Sequence, residues 1–329
     1  HALGVEWNED AAESSRSAGF PTVTGDVRDL ALYECVEELD LLWSSFPCQD
    51  FSTAGSRAGA KGERNGWPWT VDVIDFLSDE ETSRPRWFLA ENVTGLTMHI
   101  GDCPTREGKE QEDPTSCPRC YLDSVIMLQL RERYAWANWR VLDAADFGVP
   151  QRRRRVIIAA GPHPIEWPEP THSGEALAKA KWVTGEYWQS QPPIGEPSAQ
   201  EQRWLASRSQ LGLFSTEPAR FGLKPWATVR QALGLGGTLE ASRNTSANPA
   251  QERPITTDEP IFAVGGKGNQ FLTAHVLGGG RRRLTVQECA VLQDFPSDHL
   301  WHGTKTAQYR QVGNAVPPRL AEAVARAVL

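Results

Sequence analysis

Between residues 1 and 160 the chain alternates short apolar runs with segments of helical period, and this alternation restricts the fold more than any other property of the sequence. ALGVEW (2–7) is strand-like, and NEDAAESSRSAG (8–19) is helical and closes on Gly19. LDLLWSSF (39–46) and RWFLAENV (86–93) read as strands, with the helical TVDVIDFLSDEE (70–81) between them. LDSVIMLQLRERYAW (122–136) has apolar residues at 122, 125, 126, 128 and 130, which predicts a helix. NWRVLDAADFG (138–148) and RRVIIAAG (154–161) follow as strand-like segments. Alternation of this kind means parallel strands joined by crossover helices, hence an α/β, doubly wound, mostly parallel sheet.

After Gly161 the texture changes. Residues 161–280 are rich in Pro, Gly, Ser and Trp without a long periodic segment, so a second, smaller and irregular domain is expected there. Helical period returns in LTVQECAVLQDFP (284–296), with Thr285 placed as N-cap and Glu288 three residues on. It returns again in PPRLAEAVARAVL (317–329), where proline occupies the first turn. The expected organisation is one domain over 1–160, a second over 161–280, and a return to the first over 281–329. HALGVEWNEDAA opens in mid-pattern, which predicts a further element upstream of His1.

The 329 residues carry a net charge of −8. That balance argues against a protein that coats nucleic acid indiscriminately, but it leaves room for a local basic cleft. QRRRR (151–155) and GGGRRR (278–283) are candidates for such a cleft, and each also reads as a solvated face. No apolar run reaches bilayer length, and no signal-peptide pattern opens the sequence. Six cysteines, three of them between 103 and 120, do not form a disulfide pattern in a chain of this size, so a reducing cytoplasm is expected.

The run 39–46 ends on Pro47-Cys48-Gln49 and then dissolves into a polar, glycine-dotted segment. Ligands bind at the carboxyl ends of strands in α/β sheets, so a cysteine delivered there by a rigid proline is placed like a nucleophile. A buried structural thiol is the alternative. Glu91-Asn92-Val93, Gln151-x-Arg153-x-Arg155, RRLTVQECAVLQDFP (282–296) and QVGNAVPP (311–318) follow. Each motif is weak alone. Five in this order, over nearly the whole chain, resemble the motif series of the cytosine-C5 DNA methyltransferases, which are S-adenosylmethionine-dependent enzymes of the class I, Rossmann-like fold.

The resemblance implies roles. Cys48 matches the nucleophile that adds to C6 of a flipped cytosine, with Pro47 and Gln49 flanking it. Glu91 matches the glutamate that engages N3, and Asn92 holds the loop geometry beside the nucleophile. Arg153 and Arg155 match arginines that contact the flipped base and orient Glu91, and alternate residues of a strand share one face. Glu6, Trp7, Asp26, Val27, Pro47, Asn314, Ala315 and Val316 match cofactor-binding positions. The family's FxGxGG turn is not found and is expected before residue 1. Ser52, Ser56, Arg57 and Lys61 lie in a loop expected to close on DNA phosphates, with Arg64 and Trp67 to Trp69 at its far end. Separately, Arg203, Arg208, Arg243, Arg253 and Lys267 are candidate base or phosphate contacts in the recognition region. The partner implied is duplex DNA with a specific target sequence, met by a monomer in a bacterial or phage-encoded setting, with no membrane. Methylation of transfer RNA and a catalytically silent DNA-binding relative are the alternatives.

The insert MHIGDCPTREGKEQEDPTSCPRCYL (98–122) is longer than the connection this family usually needs. Cys117-x2-Cys120 has knuckle spacing for a structural Zn2+, with Cys103 as a third ligand and His99 as the fourth. Asp102 and Asp113 are substitutes for the fourth position. A surface disulfide and three unliganded thiols compete with zinc.

Overall fold

The computed structural model describes residues 3–34, 36, 38–47, 65–78, 84–100, 103, 105, 113–189, 196–197, 199–210, 222–243, 255–265, 270–276 and 280–329. The chain divides into two compact units. One comprises residues 1–142, 154–166 and 328, and the other 143–153, 167–327 and 329.

The first unit opens with β1 (Gly4–Glu6), α1 (Glu9–Ser17) and β2 (Thr22–Thr24). The Asn8 side chain caps α1 by accepting from Ala11 N, Glu9 and Asp10 lie in its positive first turn, and Arg16 lies in its last. Gly19, at φ +87°, turns the chain back so that β2 runs parallel to β1. β3 (Leu41–Ser44), α2 (Trp67–Phe76) and β4 (Trp87–Val93) follow, and β3 pairs parallel with β4. A 3-10 turn (Thr94–Thr97) leads to α3 (Pro118–Tyr121), which runs through a π turn (Leu122–Ile126) into α4 (Met127–Arg133). β5 (Trp136–Asp143) comes next, then β6 (Gln151–Arg152), which belongs to the second unit, and β7 (Arg154–Gly161). The strand order is β3-β4-β7-β5.

β7 pairs antiparallel with β4, an exception within a sheet expected to be mostly parallel. The connection from β5 contains only a 3-10 turn and the short β6, so no crossover helix returns the chain to a parallel start. Phe88 and Ala90 of β4 and Val156, Ile158 and Ala160 of β7 share one face and pack with Ile74, Leu122, Ile126, Met127 and Leu130. On the opposite face a Cβ at Gly161 would lie 2.0 Å from Cε3 of Trp87, so only glycine fits beneath that indole.

The second unit has more regular structure than its Pro/Gly/Ser/Trp texture indicates. It contains β8 (His172–Ser173), α5 (Gly174–Trp182), α6 (Ala199–Gln210), β9 (Lys224–Pro225), α7 (Val229–Leu233), β10 (Gly237–Arg243), β11 (Ile255–Thr256), β12 (Ile261–Phe262), β13 (Gln270–Val276) and β14 (Gly280–Arg283). β11-β10-β13-β14 form an antiparallel sheet, and β12 pairs parallel with β6. α8 (Val286–Leu292), α9 (Lys305–Asn314) and α10 (Pro318–Ala325) complete the chain. The start of α8 is a full capping box, in which Thr285 Oγ1 accepts from Glu288 N and the Glu288 carboxylate from Thr285 N. Val229, Leu239, Ile261, Leu284, Leu292 and Val312 form the core of this unit.

Candidate active site

Glu91 lies near the carboxyl end of β4 and is only 7% exposed. An isolated carboxylate there would be costly, and Arg155 supplies the counter-charge, with Nε 2.6 Å from Oε1 of Glu91. The antiparallel pairing makes this contact. Val93 faces Arg155 and Glu91 faces Ile157, so Glu91 and Arg155 are diagonal neighbours on one face. In an antiparallel pair the first residues of one strand lie beside the last of the other, which brings the start of β7 to the carboxyl edge of β4.

Asn92, 1% exposed, points to the other face, where its Nδ2 donates to the Phe46 carbonyl at 3.4 Å. Phe46 lies two residues before Cys48, so β4 holds the stem from which the Pro-Cys-Gln segment leaves. Gly66 packs on the same stem. A Cβ on it would lie 2.4 Å from Pro47 Cδ and 3.2 Å from Phe46 Cβ. Trp67, the first residue of α2, is 1% exposed and donates from Nε1 to Gln129 Oε1 at 2.7 Å. A glutamate braced by a guanidinium therefore stands one residue from an asparagine that tethers the end of the neighbouring strand.

The sequence profile of the C-5 cytosine-specific DNA methylases matches residues 1–329. The chain belongs to that family. It is a cytosine-C5 DNA methyltransferase, and its family takes S-adenosylmethionine as methyl donor. Type II methyltransferase M.NaeI of Lentzea aerocolonigenes is 29% identical over a 347-position alignment that spans 100% of this chain and 69% of that protein. Type II methyltransferase M1.HphI of Haemophilus parahaemolyticus is 30% identical over 300 positions, spanning 89% and 68%. The crystal structure of the S. pombe Dnmt2 methyltransferase has the same fold, with a TM-score of 0.55 at 16% identity over 100% of this chain and 90% of that one.

In this methylase Cys48, Gln49, Ser52, Ser56, Arg57, Lys61 and Arg64 lie outside the described residues, as do Arg253 and Lys267. Glu6 and Trp7 leave the carboxyl end of β1 beside Gly25, Asp26 and Val27 at the end of β2, joined by Gly25 N donating to the Glu6 carbonyl at 3.0 Å. Oε1 of Glu6 accepts from Asn8 N at 2.8 Å, and the Trp7 indole is 80% exposed. An oriented carboxylate beside an open indole fits an adenosine: the acid accepts from ribose hydroxyls and the ring stacks on the base. Asp26 instead closes on its own neighbour. Arg28 donates to both of its oxygens, and this hydrogen bonding holds the Asp26 carboxyl down at about 2. Tyr33, whose phenol is pushed up by burial first and by Asp26 second, donates to the Val27 carbonyl at 3.5 Å.

Asn314, Ala315 and Val316, where α9 ends, belong to the second unit, as does Arg153. Arg153 is 1% exposed and interrupts the strand between β6 and β7. It donates to the carbonyls of Val264 at 3.1 Å and Asn314 at 3.5 Å. Arg152, for which a solvated role is the sequence expectation, is half-buried. Its Nε donates to Asp143 at 2.7 Å and its guanidinium lies 4.2 Å from the Trp226 ring centroid. Gln151 is fully buried, accepting from Val264 N at 3.0 Å and donating to the Leu292 carbonyl at 3.1 Å.

His99, Cys103, Cys117 and Cys120 come together, with one ligand atom of each within 4.8 Å of every other. Gly66, Asn65 and Gln151 are the residues whose structural roles sequence reasoning passed over. For Gly66 a signal was present: glycine directly before Trp67-Pro68, at a helix start. A cavity of about 450 Å³ in the second unit, lined by residues including Gly148, Gln231, Asp294 and Arg319, contains none of the candidate residues.

Proposed function

We propose that this DNA methylase modifies a cytosine rotated out of duplex DNA at a specific target sequence, through a covalent bond between the Cys48 sulfur and C6 of the base. The braced Glu91 carries this reading. Cytosine C5 is a poor nucleophile, and addition of a thiolate at C6 makes C5 electron-rich. That addition needs N3 protonated or strongly hydrogen-bonded, the task of the Glu91 carboxyl. Arg155 orients that carboxyl, and Asn92 with Gly66 holds Phe46 and Pro47, the two residues that precede Cys48. S-adenosylmethionine supplies an electrophilic methyl group when bound, and Glu6 and Trp7 are the residues assigned to its ribose and adenine. Val27, Pro47, Asn314, Ala315 and Val316 are assigned to the same cofactor on the family resemblance. After methylation the C5 proton leaves, and the C6–S bond breaks to return the thiolate.

Target reading is assigned to residues 161–280, where Arg203 and Arg243 are candidates, and the arginines of β14 add positive charge. Protection of a genome within a bacterial or phage restriction–modification system is the setting that fits relatives named type II methyltransferases. The enzyme acts in the cytoplasm and as a monomer, which light scattering checks. Among the described residues no helix is long and apolar enough to cross a membrane.

The test is a duplex carrying 5-fluorocytosine at the target, where fluorine blocks loss of the C5 substituent and traps the adduct. The native chain forms a denaturation-resistant complex, and Cys48→Ala binds the duplex without forming one. An adduct that survives Cys48→Ala overturns the mechanism. Exchanging 161–280 for the same region of a relative with a known target moves the methylated site, and an unmoved site overturns the assignment of target reading.

A further inference from the structure

We propose that His99, Cys103, Cys117 and Cys120 bind one structural zinc ion that ties the segment after β4 to α3 and, through Tyr121 and Asn65, braces the start of α2. The four residues come from three separate pieces of chain. His99 follows the 3-10 turn after β4, Cys103 comes next, and Cys117 and Cys120 bracket the first turn of α3. Folding brings Sγ of Cys103 to 3.4 Å from Sγ of Cys120, and Sγ of Cys117 to 3.5 Å from Nδ1 of His99. A zinc tetrahedron with arms of about 2.3 Å to sulfur and about 2.0 Å to nitrogen has edges of about 3.5–3.8 Å. These two spacings lie close to those edges and the other ligand-atom pairs lie within 4.8 Å, so shifts of up to about 1 Å bring all four onto one centre.

Local geometry supports the same site. Pro118 occupies the first helical position after Cys117, and Tyr121 N donates to the Cys117 carbonyl at 2.9 Å, which curls both knuckle thiols to one side. Arg119 N donates to the Met98 carbonyl at 3.3 Å and holds the knuckle against the residue before His99. Thr105 Oγ1 lies 3.0 Å from Cys103 Sγ and 3.2 Å from Cys120 Sγ, in place to donate to a metal-bound thiolate. The competing fourth ligand Asp113 is engaged elsewhere, since its Oδ1 accepts from Thr115 N and Thr115 Oγ1 as the cap of a 3-10 turn. Asp102 lies outside the described residues.

The rival explanations fit less well. None of the three cysteines is in a disulfide. As a plain core they fail on chemistry: the three thiols form a small buried cluster of their own, with a histidine nitrogen and a threonine hydroxyl turned toward them. Three thiolates and a neutral imidazole fill a tetrahedron with protein groups and leave no position for water, so the ion is structural. Binding displaces the three thiol protons into solvent.

The position of the site gives its role. Cys120 adjoins Tyr121, whose hydroxyl accepts from Asn65 Nδ2 at 2.8 Å, while Asn65 Oδ1 accepts from Trp67 N at 3.2 Å. The ion thus links the chain leaving Glu91 and Asn92 to the glycine and tryptophan that start α2 beneath Pro47.

The full chain purified without chelator carries about one zinc per molecule by plasma mass spectrometry. Cobalt added to the metal-stripped chain gives a thiolate-to-cobalt charge-transfer band and intense tetrahedral ligand-field absorption. Cys117→Ser and Cys120→Ser lose both signals, whereas Cys289→Ser, in the second unit, keeps them. Should a knuckle variant fail to fold, the cobalt spectrum of the native chain still decides. Less than about a tenth of an equivalent of zinc together with no charge-transfer band overturns the proposal, because a closed site copurifies nearly full. A Cys103–Cys120 disulfide found by non-reducing peptide mapping overturns it as well. None of these readouts depends on methyl transfer.

Discussion

Replacing Arg155 by glutamine leaves the Glu91 carboxylate in the sheet without its cation. The two side chains are 14% and 9% exposed and meet at 2.6 Å, so water replaces little of the lost contact. Breaking a buried pair from one side costs about 3–5 kcal/mol, and the residual exposure puts Arg155→Gln near the lower end, at about 3 kcal/mol. Glu91→Gln costs less, about 1–2 kcal/mol, because the amide oxygen still accepts from the guanidinium and the arginine has more solvent access. The double substitution removes the uncompensated charge, so it destabilises by about 2 kcal/mol less than the sum of the singles. Urea unfolding of the four proteins, followed by tryptophan fluorescence, measures that difference. A coupling below about 0.5 kcal/mol, the range of exposed pairs, would refute the claim that this contact holds Glu91 in place. Arg155→Lys separates charge from shape. It keeps the cation but not the planar fork, and it recovers stability while the 5-fluorocytosine adduct forms more slowly than in the native chain.

Gly66→Ala puts a methyl group 2.4 Å from the Pro47 ring. It should destabilise by about 1–3 kcal/mol and slow adduct formation at unchanged duplex affinity; a native adduct rate would mean that the stem tolerates displacement. Glu288 is held below its ordinary value of 4.5, first by the hydrogen bond from Arg282. A depressed carboxyl stabilises fully above its unfolded value and loses that contribution as pH falls through the folded one. Glu288→Gln keeps the capping box but drops the charge, so its deficit in urea midpoint at pH 7 should vanish well below 4.5, and a pH-independent deficit would discard the ion-pair account.

What could be read from the sequence depended on whether local signals carried the information. The strand ending at Phe46, the strand ending at Val93 and the box Thr285–Glu288 all have short-range signatures, and each element lies within a few residues of its expected place. The direction of β7 depends on what connects it to β5, and RRVIIAAG has the same composition in either direction. The helix expected over 122–136 starts at Pro118 and passes through a π turn, because its apolar positions serve a core whose phase the local period does not specify. In the second unit β10 and β13 do alternate apolar and polar residues (Leu239 and Ala241; Leu272, Ala274 and Val276), but each run is only seven residues long and its partner lies across the intervening chain, so local texture alone does not mark them as a pair. Arg153 and Arg155 look equivalent by alternation, yet one donates to backbone carbonyls and the other to a carboxylate. That distinction arises only from packing.

β4 and β7 are buried along nearly their whole paired length: Trp87 to Asn92 on one, Val156 to Gly161 on the other. Strands of this kind have no polar face to keep out of the core, so hydrophobicity does little to forbid a slip of one residue. Such a slip would turn every side chain of β7 to the opposite face. It would put Arg155 among Phe88, Ile126 and Leu130, and leave Glu91 facing away from its cation. The ion pair assigned to base recognition therefore also indexes the two central strands, as a notch aligns two rails. Segment 144–153, which feeds β7, should accordingly accept insertions or deletions of two residues more readily than of one.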